Sequence, residues 1–505
     1  MSILTNAKSN NGEKNTKGLF FGTPQAEGEC IQAGGHRTNP YFTDYLGILD
    51  EIANNKFLIV GRKGTGKSAI AQFIENECEK TDDSFAHTIP VSTVTIEQII
   101  QLTNSKEGES LVYEWLILLY LTKLLVKCGS AKYSQAISKL SKFLSKNTGS
   151  VDIDQKQMVE ILETKKGLLD ISMLTEKFQH HFGTAKTLTN PPFVNILTPL
   201  KEIIQTALKY QDLENKEFFI LFDDLDVNFE LSNEDHCKKL MNLIRTVSSL
   251  NNTFPPNVKI LLFLRDDMIS YLAPKYNDSA KIIESHKIEI NWYVHNLNKI
   301  NEDDVPLKKL VNQRIRIAFE KKGITIPQKT TPWDYLIAEN VGSPKSSFKY
   351  ILDFTLYKPR DFVLLLNTIG EDAYKYPLSD NDIDKVLSHF CYKLKTEILS
   401  ELSLYFNGND KEKNAIYDYI FQHIANDIRN GKKTNHSELA KYMDGLRIFK
   451  KKGTEIISML WNYSLIGYSD PVGNVYYKHR EDNYPGIIND ALIELPNCIK
   501  RLYKV

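Results

Sequence analysis

Residues 57–70 read FLIVGRKGTGKSAI, and this stretch decides the fold. Phe57 to Val60 are apolar and read as a short buried strand. Gly61, Arg62, Lys63, Gly64, Thr65, Gly66, Lys67 and Ser68 then match the pattern G-x-x-x-x-G-K-[ST]. Ala69, Ile70 and Ala71 continue as a helix. Glycines let the backbone fold tightly, so that consecutive N–H groups point inward at phosphate oxygens. The helix that begins there adds its positive dipole end, and the expected cradle runs from Gly61 to Ala69. In this pattern Lys67 reaches the β- and γ-phosphates and the Ser68 hydroxyl holds Mg²⁺. The bland alternative is a chance Gly-rich turn, but the strand before it and the helix after it are what the phosphate loop requires.

Two further apolar stretches end in charged residues. Glu217 to Phe222 reads as a strand and runs into Asp223-Asp224-Leu225-Asp226. Asp223 is placed to bind metal through water, and Asp224 to polarise an attacking water as general base. Asp226 either supports those roles or caps the next helix. Val258 to Leu264, VKILLFL, is apolar throughout, as a strand covered on both faces would be, and ends in Arg265-Asp266-Asp267. His87–Ile96 and Lys287–Trp292 read as two more strands. Helices over Lys67–Glu79 and Asn233–Leu250 separate them. Strands alternating with helices predict a doubly wound, mostly parallel α/β sheet. Ligands bind at the carboxyl ends of such strands, where Gly61–Ser68, Asp223, Asp224 and Arg265 converge.

At 505 residues the chain exceeds one hydrophobic core. Residues 1–18 are polar and are expected to be disordered, with no signal peptide. Residues 19–300 are assigned to the P-loop core, with a helical insertion at 97–213 whose clearest pieces are Tyr113–Cys128, Tyr133–Leu144, Gln157–Glu163 and Val194–Leu213. Gly149 and Asn190-Pro191-Pro192 punctuate it. Tyr41 or Phe42 either packs against an adenine base or joins the core. Residues 301–378 read as a helical lid and 379–505 as a C-terminal helical, winged-helix-like domain. The apolar run Leu111–Val126 carries Glu114 and Lys123 and is short for a bilayer, so a buried helix is expected and no membrane contact. The six cysteines are scattered with no C-x-x-C pair, which argues against a disulfide framework or zinc site and fits a reducing cytoplasm. A formal net charge of zero gives no global field for nucleic acid and leaves local patches open.

In the lid, Tyr357-Lys358-Pro359-Arg360-Asp361 opens a helix at Pro359. Arg360 near the positive helix end needs an anion, either Asp361 or a γ-phosphate. Farther on, helices over Lys411–Asn430, Asn435–Met443 and Thr454–Tyr463 precede two short strands around Asp470-Pro471-Val472-Gly473. Helices followed by such a hairpin suggest a winged helix, which often binds DNA. Between Ser437 and Val505 ten Lys/Arg face eight Asp/Glu, a balance of only +2. Arg447, Lys450, Lys451, Lys452, Lys478 and Arg480 are the candidates for a phosphate-binding face, against a solvated face or a protein contact.

The motifs FLIVGRKGTGKSAI, FFILFDDLD, ILLFLRDD, IEINW and YKPRDFVLLLN, in this order, resemble bacterial AAA+/STAND-type P-loop ATPases. The layout is similar to the origin-initiator branch of AAA+ proteins. The loop is closer still to stand-alone bacterial ATPases with a GRKGSGKSA-like sequence, many from phage-defence or mobile-element settings. The resemblance implies ATP and Mg²⁺ as ligands and ATP hydrolysis as the reaction. It also implies Arg265 near a sensor-1 position and Arg360 as a sensor-2 arginine on the γ-phosphate. Asp224 stands where the family usually has Glu, which implies slow hydrolysis. Arg314 and Arg316 are the candidates for an arginine finger, and no LSGGQ-like signature points to an ABC-type ATPase. The implied function is a conformational switch in anti-phage defence or nucleic-acid-linked signalling, working as a homo-oligomer with an effector protein partner. An ATP-licensed DNA-binding initiator or loader, with DNA on the C-terminal domain, and a non-hydrolysing nucleotide-bound scaffold are the alternatives. A kinase is a weaker one, for want of an acceptor site.

Overall fold

The computed structural model describes residues 14–33, 36–90, 108–128, 135–148, 196–225, 229, 233–295, 297–403, 405–406, 408–470, 472–480 and 491–505. Two compact units emerge: Cys30–Ile290, and a second made of Met1–Glu29 with Asn291–Val505. Asp226, Pro471, the stretch 91–96, the insertion's Gln157–Glu163, Gly149 and Asn190–Pro192, and the first part of the expected disordered terminus lie outside the described residues.

The first unit is built on a five-stranded parallel sheet. Its strands are β1 (Leu58–Val60), β2 (Ser84–Pro90), β3 (Glu217–Asp223), β4 (Val258–Leu264) and β5 (Lys287–Glu289). They lie side by side in the order β2-β3-β4-β1-β5, each neighbouring pair parallel. β1 is wholly buried and β4 nearly so, as parallel strands with both faces covered must be. The register Val60↔Leu264 sets the ends of β1 and β4 level. β2 begins earlier than the β-branched run at His87 suggests, because Ser84 pairs with Glu217 and the pairing continues to Pro90 with Asp223.

Helices fill the connections. α1 (Lys67–Cys78) follows the glycine-rich loop and packs on β2, β3 and β4. α2 (Gly108–Lys127) is apolar almost all round, the pattern of a helix buried on every side. Its Val112, Ile117, Leu118 and Leu121 are completely shielded, each burial stabilising by about 2 kcal/mol. Tyr120 stacks on His87 of β2 at 4.5 Å between ring centroids, and Glu114 pairs with Lys201 at 2.5 Å. Part of the expected insertion is therefore a layer of the α/β core itself. α3 (Glu234–Thr253) packs against α2 and β4, its start capped by the Asn233 side chain. Among the described residues no helix is long and apolar enough to cross a membrane.

The second unit is mainly helical. α4 (Pro306–Lys321), α5 (Pro359–Glu371) and α6 (Asp380–Leu402) dominate its first half. Proline opens α4 and α5, where a missing N–H costs nothing, and a Ser379/Asp382 capping box opens α6. Trp333, Phe348 and Phe362 form a fully buried aromatic cluster, with the Trp333 indole N–H donated to Ser347 Oγ at 2.9 Å. Lys358 is buried and paired with Glu401 of α6 at 3.0 Å, which ties the start of α5 to the end of α6. The C-terminal part contains α7 (His436–Leu446) and α8 (Gly453–Asn462). These precede an antiparallel sheet of β6 (Gly467–Ser469), β7 (Val475–Tyr476) and β8 (Leu492–Glu494), ordered β8-β6-β7.

Residues 14–29 join this helical unit, where sequence pattern alone had put 14–18 in a disordered tail and 19–29 with the P-loop core. The Thr16 N–H donates to Tyr374 O, and Gly18 N–H to Gly370 O. Asn367 of α5 accepts from Phe21 N–H and donates to Gly22 O. The chain runs so close to α5 that a Cβ on Gly370 would collide with Leu19 O. Arg314 of α4 closes the contact, donating to Phe21 O and forming a two-pronged ion pair with Glu29 at 2.5 and 3.1 Å. Glu29→Ala would strand the buried Arg314 charge. It is expected to destabilise this unit by about 3–5 kcal/mol in chemical denaturation, whereas Glu29→Leu with Arg314→Met should recover most of the loss.

Candidate phosphate-binding site

The glycine-rich loop leaves β1 at the sheet centre and is held at once. Gly61 N–H donates to Leu264 O of β4 at 3.1 Å. Thr65 folds back, its hydroxyl donating to Arg62 O at 2.8 Å. Gly64 and Gly66 have φ of 85° and 103°, the left-handed region that side chains resist. Gly66 is also the N-cap of α1, so the loop passes directly into the helix. Residues Gly61 to Ala69 thus form a tight turn on a helix N-terminus at the carboxyl edge of the sheet, a ready anion cradle.

Inside this turn the Lys67 ammonium donates to Gly61 O at 2.8 Å and to Arg62 O at 3.2 Å. The Ser68 hydroxyl lies beside the carboxylate of Asp223, the last residue of β3, and favours its charged form. That hydroxyl and carboxylate are the oxygen pair a Mg²⁺ ion takes when phosphates and waters complete its shell, so these residues fit the metal. Among the described residues no cluster of three or more His, Cys, Asp or Glu offers an all-protein metal cage. Burial, then the neighbouring Asp224 charge, pushes the Asp223 carboxyl up to about 6, against the Ser68 hydroxyl and the Lys67 charge. Asp224 itself is exposed and left-handed, with φ of 55°. A short acidic residue accepts that conformation more readily than most.

Arg265, just past β4, is buried and committed elsewhere. Its guanidinium grips Asp267 with two hydrogen bonds of 3.0 and 2.6 Å. The residue between them, Asp266, is the one that feels the loop. Burial and Asp267 push its carboxyl up, while Arg62, Lys67 and Arg265 pull it down. Sequence reading passed over Asp266 for its arginine neighbour. The available signal was an acid two residues beyond the strand paired with β1. Phe42 stacks on Phe73 of α1 at 4.5 Å, and Tyr41 is buried.

In the helical unit, Arg360 sits in the first turn of α5 with its Nη1 3.6 Å from Glu397 of α6. Its Nε is buried and makes no hydrogen bond. Asp361, the local counter-ion weighed from sequence, instead accepts from Leu356 N–H at 2.7 Å and lies 4.0 Å from Lys358. Arg314 is consumed by Glu29, and Arg316 is exposed. Of the basic residues near α8, Lys451 lies over the Tyr405 ring at 3.6 Å and Arg480 pairs with Asp353 at 3.2 Å.

Comparison with known proteins adds one family model, described as the FunZ-associated C-terminal helical domain, which matches residues 306–399. That span holds α4, α5 and most of α6. A transposon gamma-delta 80.3 kDa protein of Escherichia coli is 26% identical over 176 residues, 35% of this chain and 23% of that protein. Allergen Alt a 2 of Alternaria alternata is 28% identical over 113 residues, 22% of this chain and 52% of that one. The chain therefore spans about a quarter and about half of the lengths of these relatives. Among solved structures, Aeropyrum pernix ORC2 with ADPNP and ADP aligns at 12% identity and a TM-score of 0.37, over 92% of this chain and 93% of its own. Cdc6p of Pyrobaculum aerophilum aligns at 11% and 0.27, over 91% and 92%.

The raised Asp223 carboxyl has a consequence for stability. The folded chain holds this proton more tightly than the unfolded one, so the carboxyl destabilises the first unit increasingly as pH rises from 3.8 to about 6 and fully above that. Asp223→Asn should therefore raise the stability of the ligand-free protein by about 2–3 kcal/mol near neutral pH and by little near about pH 4, read by thermal melts at both. An equal change at both would assign the effect to packing rather than charge.

Proposed function

We propose that the chain is an AAA+-type P-loop ATPase that binds Mg²⁺·ATP at Gly61–Ala69 and uses ATP occupancy and hydrolysis as a conformational switch. The observation that carries this reading is the Lys67 ammonium folded onto its own loop, with the Ser68 hydroxyl and Asp223 beside it. Three strands deliver phosphate, metal and acid chemistry to one edge of one sheet.

In this reading the loop N–H groups hold the phosphates, and Lys67 exchanges two loop carbonyls for the β- and γ-phosphate oxygens. Bound Mg²⁺, held by Ser68 and by Asp223, would offset the charge of those oxygens. Asp224 orients and polarises the attacking water, and a carboxylate on this shorter side chain suits slow turnover. Asp266 supplies a counter-charge to Arg62 and Lys67. Arg360 reads the γ-phosphate from the helical unit, exchanging its long contact with Glu397 for a stronger anion. Residues 301–378 act as the lid and 379–505 as the C-terminal domain. The one family model runs through to residue 399, which supports treating α6 as part of the lid's packing. Exposed Arg316 is the better placed of the two finger candidates for a neighbouring copy, which makes a homo-oligomer the working form.

The output is assigned to defence signalling or other work on mobile DNA, through an effector protein. The resemblance of the loop and the partial identity to a transposon-borne protein support that setting. A second reading, an ATP-licensed DNA binder, has one observation in its favour. α7 and α8 lead into the β6–β7 hairpin, and Asn435 bridges Leu492 of β8, the layout of a winged helix. Against it, the exposed face of α8 offers Thr454, Glu455 and Asn462 rather than cations, and Lys451 and Arg480 are engaged. A protein contact suits this domain better.

Steady-state phosphate release tests the main reading. Wild type should exceed Lys67→Ala by about 10²–10³-fold, the usual cost of one oriented charge on a transferring phosphoryl group. Asp224→Asn should lose about 10²-fold or more while still binding ATP. Wild-type release no greater than that of Lys67→Ala would sink the ATPase assignment. A full-chain DNA shift assay at low salt tests the second reading. No shift is expected, and a shift abolished by Lys450→Ala with Lys452→Ala would restore the DNA binder.

A further inference from the structure

Tyr357 stands three residues before Arg360 in an unusual conformation. Its φ is 55°, and it is only 6% exposed. A bulky aromatic residue in the left-handed region is a real outlier, and such strain persists only where the surroundings over-determine it. Here they do. The Tyr293 and His479 rings each lie 5.3 Å from the Tyr357 ring, and the Arg480 guanidinium sits over that ring at 5.2 Å. Arg480 also lies over Tyr477 at 5.0 Å and pairs with Asp353, four residues before Tyr357. Tyr477 is itself anchored, its hydroxyl donating to Leu495 O at 2.9 Å. The C-terminal segment Tyr477–Arg480 therefore clasps the turn Asp353–Tyr357 from one side.

On the other side of Tyr357 the chain is equally constrained. Leu356 N–H is bound by Asp361, and Lys358 is buried against Glu401. Pro359 then fixes the first turn of α5, leaving Tyr357 as the one left-handed residue between the clasp and Arg360. Arg360 is the loosely held member of the group, with its 3.6 Å ion pair and its unbonded Nε.

We propose that Tyr357, Arg480 and Asp353 are positioning residues for Arg360, so that the C-terminal segment sets how well Arg360 reads a terminal phosphate. This rests on the Arg360 role proposed above. A partner that pulls on residues 477–480 would release Tyr357 from its strained conformation and shift the start of α5. By reciprocity, ATP bound through Arg360 would tighten the clasp.

The test is a Mg²⁺-containing titration of the full chain with anthraniloyl-labelled ATP and, separately, the labelled ADP. Arg480→Ala should weaken ATP by about fivefold or more and leave ADP unchanged, because only ATP offers the phosphate that Arg360 reads. Asp353→Asn, a near-isosteric change on the other side of the ion pair, should do the same and guards against a folding defect in the first variant. Both effects should vanish when Arg360 is already alanine. An equal loss for ATP and ADP, an unchanged ATP affinity in both variants, or a loss that persists in the Arg360→Ala background would overturn the proposal. Arg360→Ala alone reports separately on the underlying reading. If it leaves ATP affinity unchanged, the Arg360 role falls first and the positioning role with it.

Discussion

One hydrogen bond sets where the glycine-rich loop leaves the sheet, that from Gly61 N–H to Leu264 O. It extends the β1–β4 pairing one step past Val60, so the loop must turn immediately at the edge of the sheet. Only five residues, Arg62 to Gly66, then separate that bond from the first residue of α1. A turn this tight forces positive φ at Gly64 and Gly66 and brings the loop N–H groups inward. The Lys67 charge is satisfied by the loop's own carbonyls. The turn is thus held by its own hydrogen bonds, Gly61 N–H to Leu264 O and the Thr65 hydroxyl to Arg62 O.

The same sheet edge concentrates acid. Asp223 ends β3, Asp224 follows it, and Asp266 and Asp267 follow β4; burial and their neighbours hold Asp223 and Asp266 well above the ordinary carboxylate range. Arg265 neutralises Asp267 locally, which leaves Asp223 and Asp266 facing the loop's cations. The helical unit has a contrasting logic. Lys358–Glu401 and Arg314–Glu29 are buried and close, and they fix helices in place. Arg360–Glu397 is long and partly open, the kind of pair that contributes little stability and exchanges readily.

How much of this was legible in the sequence depended on how local the determinants were. β4 was readable to the residue, and β1 and β3 to within one, because an unbroken apolar run bounded by glycine or acid has few alternatives. The glycine-rich turn into α1 was equally clear, because its pattern encodes backbone conformation directly. β2 was misplaced toward its β-branched end, since its start is dictated by pairing with Glu217 rather than by its own composition. Residues 14–29 were invisible as part of the helical unit, because the contacts that tie them to it, from Arg314 to Tyr374, lie hundreds of residues away in the chain. β8 is three residues long and takes its identity from pairing with β6. Sequence placed Arg265 at the carboxyl edge of the sheet, and only the structure reveals its two-pronged grip on Asp267. Tyr357 gave no sign at all, since left-handed backbone at a tyrosine is imposed by its surroundings.

The most direct measurement of the central claim is hydrogen–deuterium exchange of the full chain with Mg²⁺ and no nucleotide, with ADP, and with a non-hydrolysable ATP analogue. The account predicts slowed exchange at the amides of Gly61–Ala69 with either nucleotide, and slowed exchange around residues 356–362 with the ATP analogue only. Protection that never appears at Gly61–Ala69 would contradict the phosphate cradle. Identical behaviour of residues 356–362 in all three states would contradict the switch.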